Sequence, residues 1–172
     1  MDRLKRTCAL MAVLVVFLVA LSCKKTEERT ARESGKASDF SLTDLQGAAV
    51  TLSQMRGQVV LVEFWATWCP PCSESVPELN KVYEKFKDRN FRLLGISVDK
   101  GGDVVSRVRA FVKEHAIGYP VMVDDGSVHV SYGVSSIPVM FVVDKDGRVV
   151  KRHMGFIPGL AEILSKEVED LL

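Results

Sequence analysis

The sequence predicts an α/β domain built on one sheet covered on both faces, and three observations carry that expectation. Two runs, 59–65 (Val-Val-Leu-Val-Glu-Phe-Trp) and 91–98, are apolar without alternation, as strands buried on both sides are. Each is followed by apolar residues at three- and four-residue steps, the mark of a helix face. A hairpin pattern over 139–154 and a last amphipathic stretch then close the chain.

The N-terminal end is basic (Arg3, Lys5, Arg6), and 17 uncharged residues run from Thr7 to Cys23 before Lys24-Lys25. That run is shorter than the roughly 20 residues a spanning helix needs, so residues 1–22 read as a secretory signal. Residues 24–37 hold no large apolar side chain and read as a solvated tether, which leaves 38–172 as a single domain. Alternation at 40–43 and 49–52 around Asp44-Leu45-Gln46-Gly47 predicts a hairpin. After the strand at 59–65, Val76, Leu79, Val82, Tyr83 and Phe86 form one helical face. After the strand at 91–98, Val104, Val105, Val108, Phe111, Val112 and His115 form another. A short strand is expected at 119–123, with Pro120 at its start or on an edge, and 127–132 lies between loop and short helix. Strands at 139–143 and 149–154 flank the turn Asp144-Lys145-Asp146-Gly147. A final helix from about Pro158 presents Leu160, Ile163, Leu164, Val168 and Leu171. Without residues 1–22 the chain has 20 basic and 21 acidic residues, so it lacks the basic excess of a nucleic-acid binder.

Chemistry concentrates in Trp68-Cys69-Pro70-Pro71-Cys72-Ser73, where two thiols stand two residues apart at a strand–helix junction. Cys69 falls at or just before the helix N-terminus, where unpaired N–H groups and the dipole favour a thiolate. The pair reads as a redox dithiol. A zinc half-site needs two more ligands at close spacing, yet His115, His129 and His153 are far apart in sequence. A purely structural disulfide gains little from so short a loop. Glu63, inside an apolar strand, is costly unless it is functional or turned outward, and strand alternation leaves both open.

The run 62–72, with Ser136-Ile137-Pro138 about 65 residues later, closely resembles the thioredoxin superfamily. Val19-Ala20-Leu21-Ser22-Cys23 is similar to a bacterial lipobox. Together with the N-terminal hairpin and an extra segment of about 25 residues between a central strand and helix, it resembles the membrane-tethered TlpA/ResA-like branch. The resemblance implies a thioredoxin-like fold, a mixed central sheet flanked by helices. It implies Cys69 as exposed nucleophile, Cys72 as buried resolving thiol and a reversible Cys69–Cys72 disulfide. It further implies Pro138 as a cis-proline facing the dithiol, with Ile137, Trp68 and Pro70 beside the client. Trp68 would pack next to the dithiol or fill the core. Glu63 matches a buried acid that takes the proton of Cys72, and Cys23 would carry the lipid. One position departs: many members of this branch place a glutamate three residues after the second cysteine, where this chain has Ser75, with Glu74 about 100° around the helix.

The function expected is an extracytoplasmic, membrane-anchored thiol–disulfide oxidoreductase that works as a reductant and uses no cofactor. Its partners would be protein disulfide clients, an upstream membrane electron donor, and the membrane through lipid on Cys23. Two rivals remain in view. One is a peroxiredoxin-like thiol peroxidase, of which Thr67 and Pro70 offer a faint echo. The other is a copper-binding chaperone, which would need His129 or His153 as a further ligand.

Overall fold

The computed structural model describes residues 35–172; the leader, Cys23 and the tether up to Ser34 lie outside the described residues. A small hairpin comes first, β1 (Ser41–Thr43) and β2 (Ala49–Thr51), followed by a 3-10 turn at Leu52–Met55. The main body runs β3 (Val59–Trp65), α1 (Pro70–Phe86), β4 (Phe91–Ser97), α2 (Val104–Glu114), β5 (Val121–Val123), α3 (Val128–Ser131), β6 (Val139–Val143), β7 (Val149–Met154) and α4 (Leu160–Leu171). Five strands pair in the order β5-β4-β3-β6-β7, with β3, β4 and β5 parallel and β6 and β7 antiparallel to their neighbours. This is the mixed sheet of a thioredoxin-like fold. The expected inserted segment lies between β4 and α3 and holds α2 and β5.

Strand alternation sends the side chains of β3 into two separate cores. Leu61 and Trp65 join Leu79, Val82 and Phe86 of α1, Val108 and Phe111 of α2, and Leu160, Leu164 and Val168 of α4. Val60, Val62 and Phe64 join Phe40, Leu42, Val50 and Leu52 of the hairpin region, with Val128 and Tyr132. The three long helices therefore share one face, and the hairpin with α3 covers the other. The β5 edge of the sheet is occupied too, and the β7 edge at its start. The hairpin turn docks on β5 through Leu45 N–H to Val121 O (2.9 Å) and a bridge between Asp44 and Met122.

Three expectations need correction. Residues 35–37 are not tether: Ala37 N–H donates to Gly147 O (2.9 Å) and Val149 N–H to Gly35 O (3.1 Å), and the Ala37 side chain is buried. Backbone pairing of this kind needs no apolar side chain, so composition does not reveal it. Val105 is 46% exposed, because the buried stripe of α2 passes through Val108 and Phe111. The last helix starts at Leu160, two residues later than expected, since Gly159 takes a left-handed φ of 74° that no helix continues. Ile163 is consequently at the margin, 37% exposed, while Leu160, Leu164 and Val168 are fully buried.

This phasing is checked by chemical denaturation of the oxidised protein. Leu164→Ala is expected to cost about 2–5 kcal/mol, and Ile163→Ala less than about 1 kcal/mol. Equal losses would mean that α4 is rotated from the orientation described.

Candidate active site

The site forms where β3 runs out. Beyond Trp65 the chain leaves the core through Ala66-Thr67-Trp68, and Cys69, in extended conformation (φ −105°, ψ 102°), caps α1. Pro70 and Pro71 fill the first helical positions, where a missing N–H costs no hydrogen bond. The first turn closes by Cys72 N–H donating to Cys69 O at 3.0 Å. That turn brings the two Cα atoms to 5.3 Å, and the thiols are joined as a disulfide. Cys69 is 6% exposed and Cys72 1%, so both are buried in the disulfide and the exposed Cys69 that the resemblance implied is not seen; Cys69 shows only an edge to solvent. Trp68 is 67% exposed, which rules out core filling.

A buried acid fixes this loop from the neighbouring strand. Asp99, just past β4 and 3% exposed, accepts Thr67 N–H at 2.8 Å and Thr67 Oγ1–H at 2.6 Å, and Ser97 Oγ–H at 2.8 Å. Two hydrogen bonds to one residue two positions before Cys69 fix where the cysteine loop begins. Across from it, the Ile137–Pro138 bond is cis and Pro138 is buried at the start of β6. Ile137 lines a groove of about 400 Å³ together with Trp68, Val98, His129 and Val134. Pro70 is exposed at the helix tip.

Glu63 is 1% exposed, and its position on β3 decides which way it faces. It alternates with Leu61 and Trp65, both of which lie in the same core as Cys72. On the sheet its neighbours are Gly95 of β4 and Met140 of β6, neither of which offers a polar side chain. Its one partner among the described residues is Tyr119, whose hydroxyl donates to Oε2 at 3.0 Å. Burial pushes the Glu63 carboxyl up to about 8, and the Tyr119 bond opposes the rise. Tyr119 is held well above the usual phenol range, by its own burial first and by the negative charge of Glu63 second.

Other sequence features resolve differently. Ser75 is buried and its hydroxyl donates to Pro71 O at 3.1 Å, while Glu74 is exposed. His129 pairs with Asp124, and His153 Nε2 lies 2.8 Å from Glu167 Oε2. Among the described residues no three His, Cys, Asp or Glu side chains converge as metal ligands. Asp99 and Tyr119 were missed in the sequence. An acid at the C-terminal end of a buried parallel strand was the available signal for Asp99. Nothing local marks Tyr119, whose target lies 56 residues upstream.

The Glu63 environment predicts a pH-dependent stability. An acid whose folded pKa exceeds its unfolded value holds an extra proton in the native state between the two, here from 4.5 to about 8. Stability conferred by that proton is complete below this window and is lost as pH rises through it, at up to about 1.4 kcal/mol per pH unit. Glu63→Gln is therefore expected to melt at nearly constant temperature from pH 5 to 8 while the parent protein declines. Parallel melting curves would show that the carboxyl reaches water.

The AhpC/TSA family matches residues 34–152. The thiol-disulfide oxidoreductase ResA of Bacillus anthracis is 35% identical over 121 residues, covering 70% of this chain and 68% of that protein. A thioredoxin-family thiol:disulfide interchange protein of Chlorobium tepidum superposes with a TM-score of 0.71 at 26% identity, over 81% of this chain and 97% of that one. The pneumococcal exposed lipoprotein thioredoxin of Streptococcus pneumoniae gives 0.68 at 29% identity, over 78% of this chain and 100% of that one. A disulfide between two cysteines one helical turn apart, on a thioredoxin-like sheet, agrees with these likenesses: the chain belongs to the AhpC/TSA family and is a thiol–disulfide oxidoreductase of the ResA type.

Proposed function

We propose that the protein is an extracytoplasmic reductant of protein disulfides, anchored by lipid on Cys23, that works through a mixed disulfide on Cys69. The observation that carries this reading is the unequal burial of the two bonded cysteines, 6% for Cys69 against 1% for Cys72, beside an exposed Trp68. In the reduced enzyme the Cys69 thiolate attacks one sulfur of a client disulfide. A Cys69–client bond forms, the client bond breaks, and the client's other sulfur leaves as thiolate. Cys72 gives its proton to the Glu63 carboxylate and attacks Cys69 Sγ. The second client thiolate departs and the Cys69–Cys72 bond is regenerated. An upstream membrane donor returns the two electrons. Clients lie over the groove between Trp68 and Ile137, against Pro70 and Pro138, with no cofactor.

The acid role falls to Glu63 because Ser75 folds back on Pro71 O and Glu74 faces solvent. A peroxidase reading draws less support, since the Thr67 hydroxyl is committed to Asp99. The anchoring proposal is supported by the apolar run ending at Cys23 and by the lipoprotein status of the pneumococcal relative. No helix among the described residues is long and apolar enough to cross a membrane.

Brief iodoacetamide treatment of the reduced protein near pH 7 is expected to label Cys69 well ahead of Cys72, read by peptide mapping. Cys72→Ser is expected to accumulate covalent adducts with disulfide-bonded insulin and to lose steady-state reduction. Equal labelling of the two thiols would reverse or abolish the division of roles.

Cys23→Ser is expected to abolish incorporation of labelled fatty acid, with the soluble domain from residue 35 onward keeping full insulin reduction. A mature N-terminus elsewhere than Cys23, read by mass spectrometry, would refute the anchor.

A further inference from the structure

The partner of Glu63 is held from both sides. Tyr119 is 4% exposed and stands in the loop between α2 and β5. Asn80 of α1 brackets that loop: its Nδ2 donates to Ala116 O at 2.9 Å, and its Oδ1 accepts Gly118 N–H at 3.0 Å. On the other side Gly95 N–H donates to Pro120 O at 2.9 Å. The ring meets Tyr83 edge-on with centroids 6.2 Å apart. Gly95 makes the room: a Cβ there would stand 3.0 Å from Tyr119 Cε2 and 3.1 Å from Trp65 Nε1. The hydroxyl is thus aimed from a fixed frame, while Glu63 Oε1 is buried and receives no hydrogen bond from the described residues.

We propose that Tyr119 is a positioning residue for proton exchange between Glu63 and Cys72: its hydroxyl ties down Oε2 and leaves Oε1 as the oxygen that takes up and returns the proton. This rests on the acid–base role of Glu63 proposed above. A glutamate carries one more rotatable bond than an aspartate would, so an anchored oxygen limits where the free one can point. Tyr119 donates and does not compete for the proton, because burial and the neighbouring carboxylate keep its own proton in place. The titratable groups on this side of the sheet are Tyr119 from the loop before β5, Cys69 at the cap of α1, Cys72 and Tyr83 of α1, His115 stacked on Phe111 of α2, and, one strand beyond Met140, His153 of β7 bonded to Glu167 of α4, while Gly95 and Met140 on the adjoining strands carry none. No lysine, arginine or histidine contributes to the Glu63 shift. A donor to the carboxylate favours its charged form, so removing the hydroxyl moves proton uptake to higher pH.

Stopped-flow reaction of the reduced protein with 5,5′-dithiobis(2-nitrobenzoate) separates attack by Cys69 from release by Cys72, since each step frees one coloured thiolate. The second phase is followed from pH 5 to 10 for the parent, Glu63→Gln and Tyr119→Phe, beside 13C NMR titration of glutamate-labelled oxidised protein. Glu63→Gln is expected to lose the pH-dependent limb of the second phase. Tyr119→Phe is expected to keep it with the midpoint about one pH unit higher, the first phase within about twofold of the parent, and the same displacement in the carboxyl resonance. If Glu63→Gln loses the limb but Tyr119→Phe superimposes on the parent in both measurements, the positioning role falls and the Glu63 role stands. If Glu63→Gln keeps the limb, the acid–base reading falls and the Tyr119 role with it. Slowing of both phases in Tyr119→Phe with an unmoved midpoint also overturns the proposal, because that is what a packing defect does.

Discussion

Strand β3 has a hydrogen-bonded neighbour on each side and a packed core on each face, so none of its seven side chains is more than 2% exposed. Two consequences follow from that enclosure. A carboxyl on such a strand meets apolar surroundings and whatever donor the fold supplies, and Glu63 meets one phenol. The other consequence appears where enclosure ends: past Trp65 the chain must emerge, and within four residues it passes from a buried tryptophan to an exposed one and on to Cys69. The carboxyl ends of the parallel strands are also where the polar residues gather, with Asp99 following β4 and Asp124 following β5. Open α/β sheets place their sites at these ends for the same geometric reason.

The two buried acids near the dithiol divide their work by the number of donors they meet. Asp99 accepts three hydrogen bonds, two of them from Thr67, and acts as a clamp on the loop that carries Cys69. Glu63 accepts one, is walled by Gly95 and Met140, and binds its proton far more tightly than a free glutamate. A carboxyl that meets a single donor in apolar surroundings suits proton transfer near neutral pH. Chemistry and architecture therefore draw on the same residue type without conflict.

Much of this was legible in the sequence. Uninterrupted apolar runs identified β3 and β4, alternation the first hairpin, two strand runs around Asp144-Lys145-Asp146-Gly147 the second, and helical spacing the buried stripe of α1, because each pattern reflects a local geometry meeting one core. The cysteine pair and its place at a helix start were legible for the same local reason. Contacts made across the chain were not. Tyr119 precedes a proline and a three-residue strand, and nothing nearby announces a hydroxyl bound for β3. Trp68 continues an aromatic apolar run, so the sequence leaves it between a place beside the dithiol and core filling; the turn of the backbone carries it outward. Residues 35–37 pair through their backbone alone, which leaves no trace in side-chain composition.

The covered edges of the sheet bear on how the molecule meets other chains. A sheet edge is a row of unpaired N–H and C=O groups that will accept any extended segment of suitable length. On β5 the hairpin turn occupies that row, and at the start of β7 residues 35–37 do, with Lys151, Arg152 and His153 charging or polarising what is left. A polypeptide passing over this surface meets a shortened edge on β7 and an occupied one on β5. An extended chain that meets the sheet at β5 is thereby turned away, and one that meets β7 finds only the stretch beyond Val149, where charged side chains disfavour pairing.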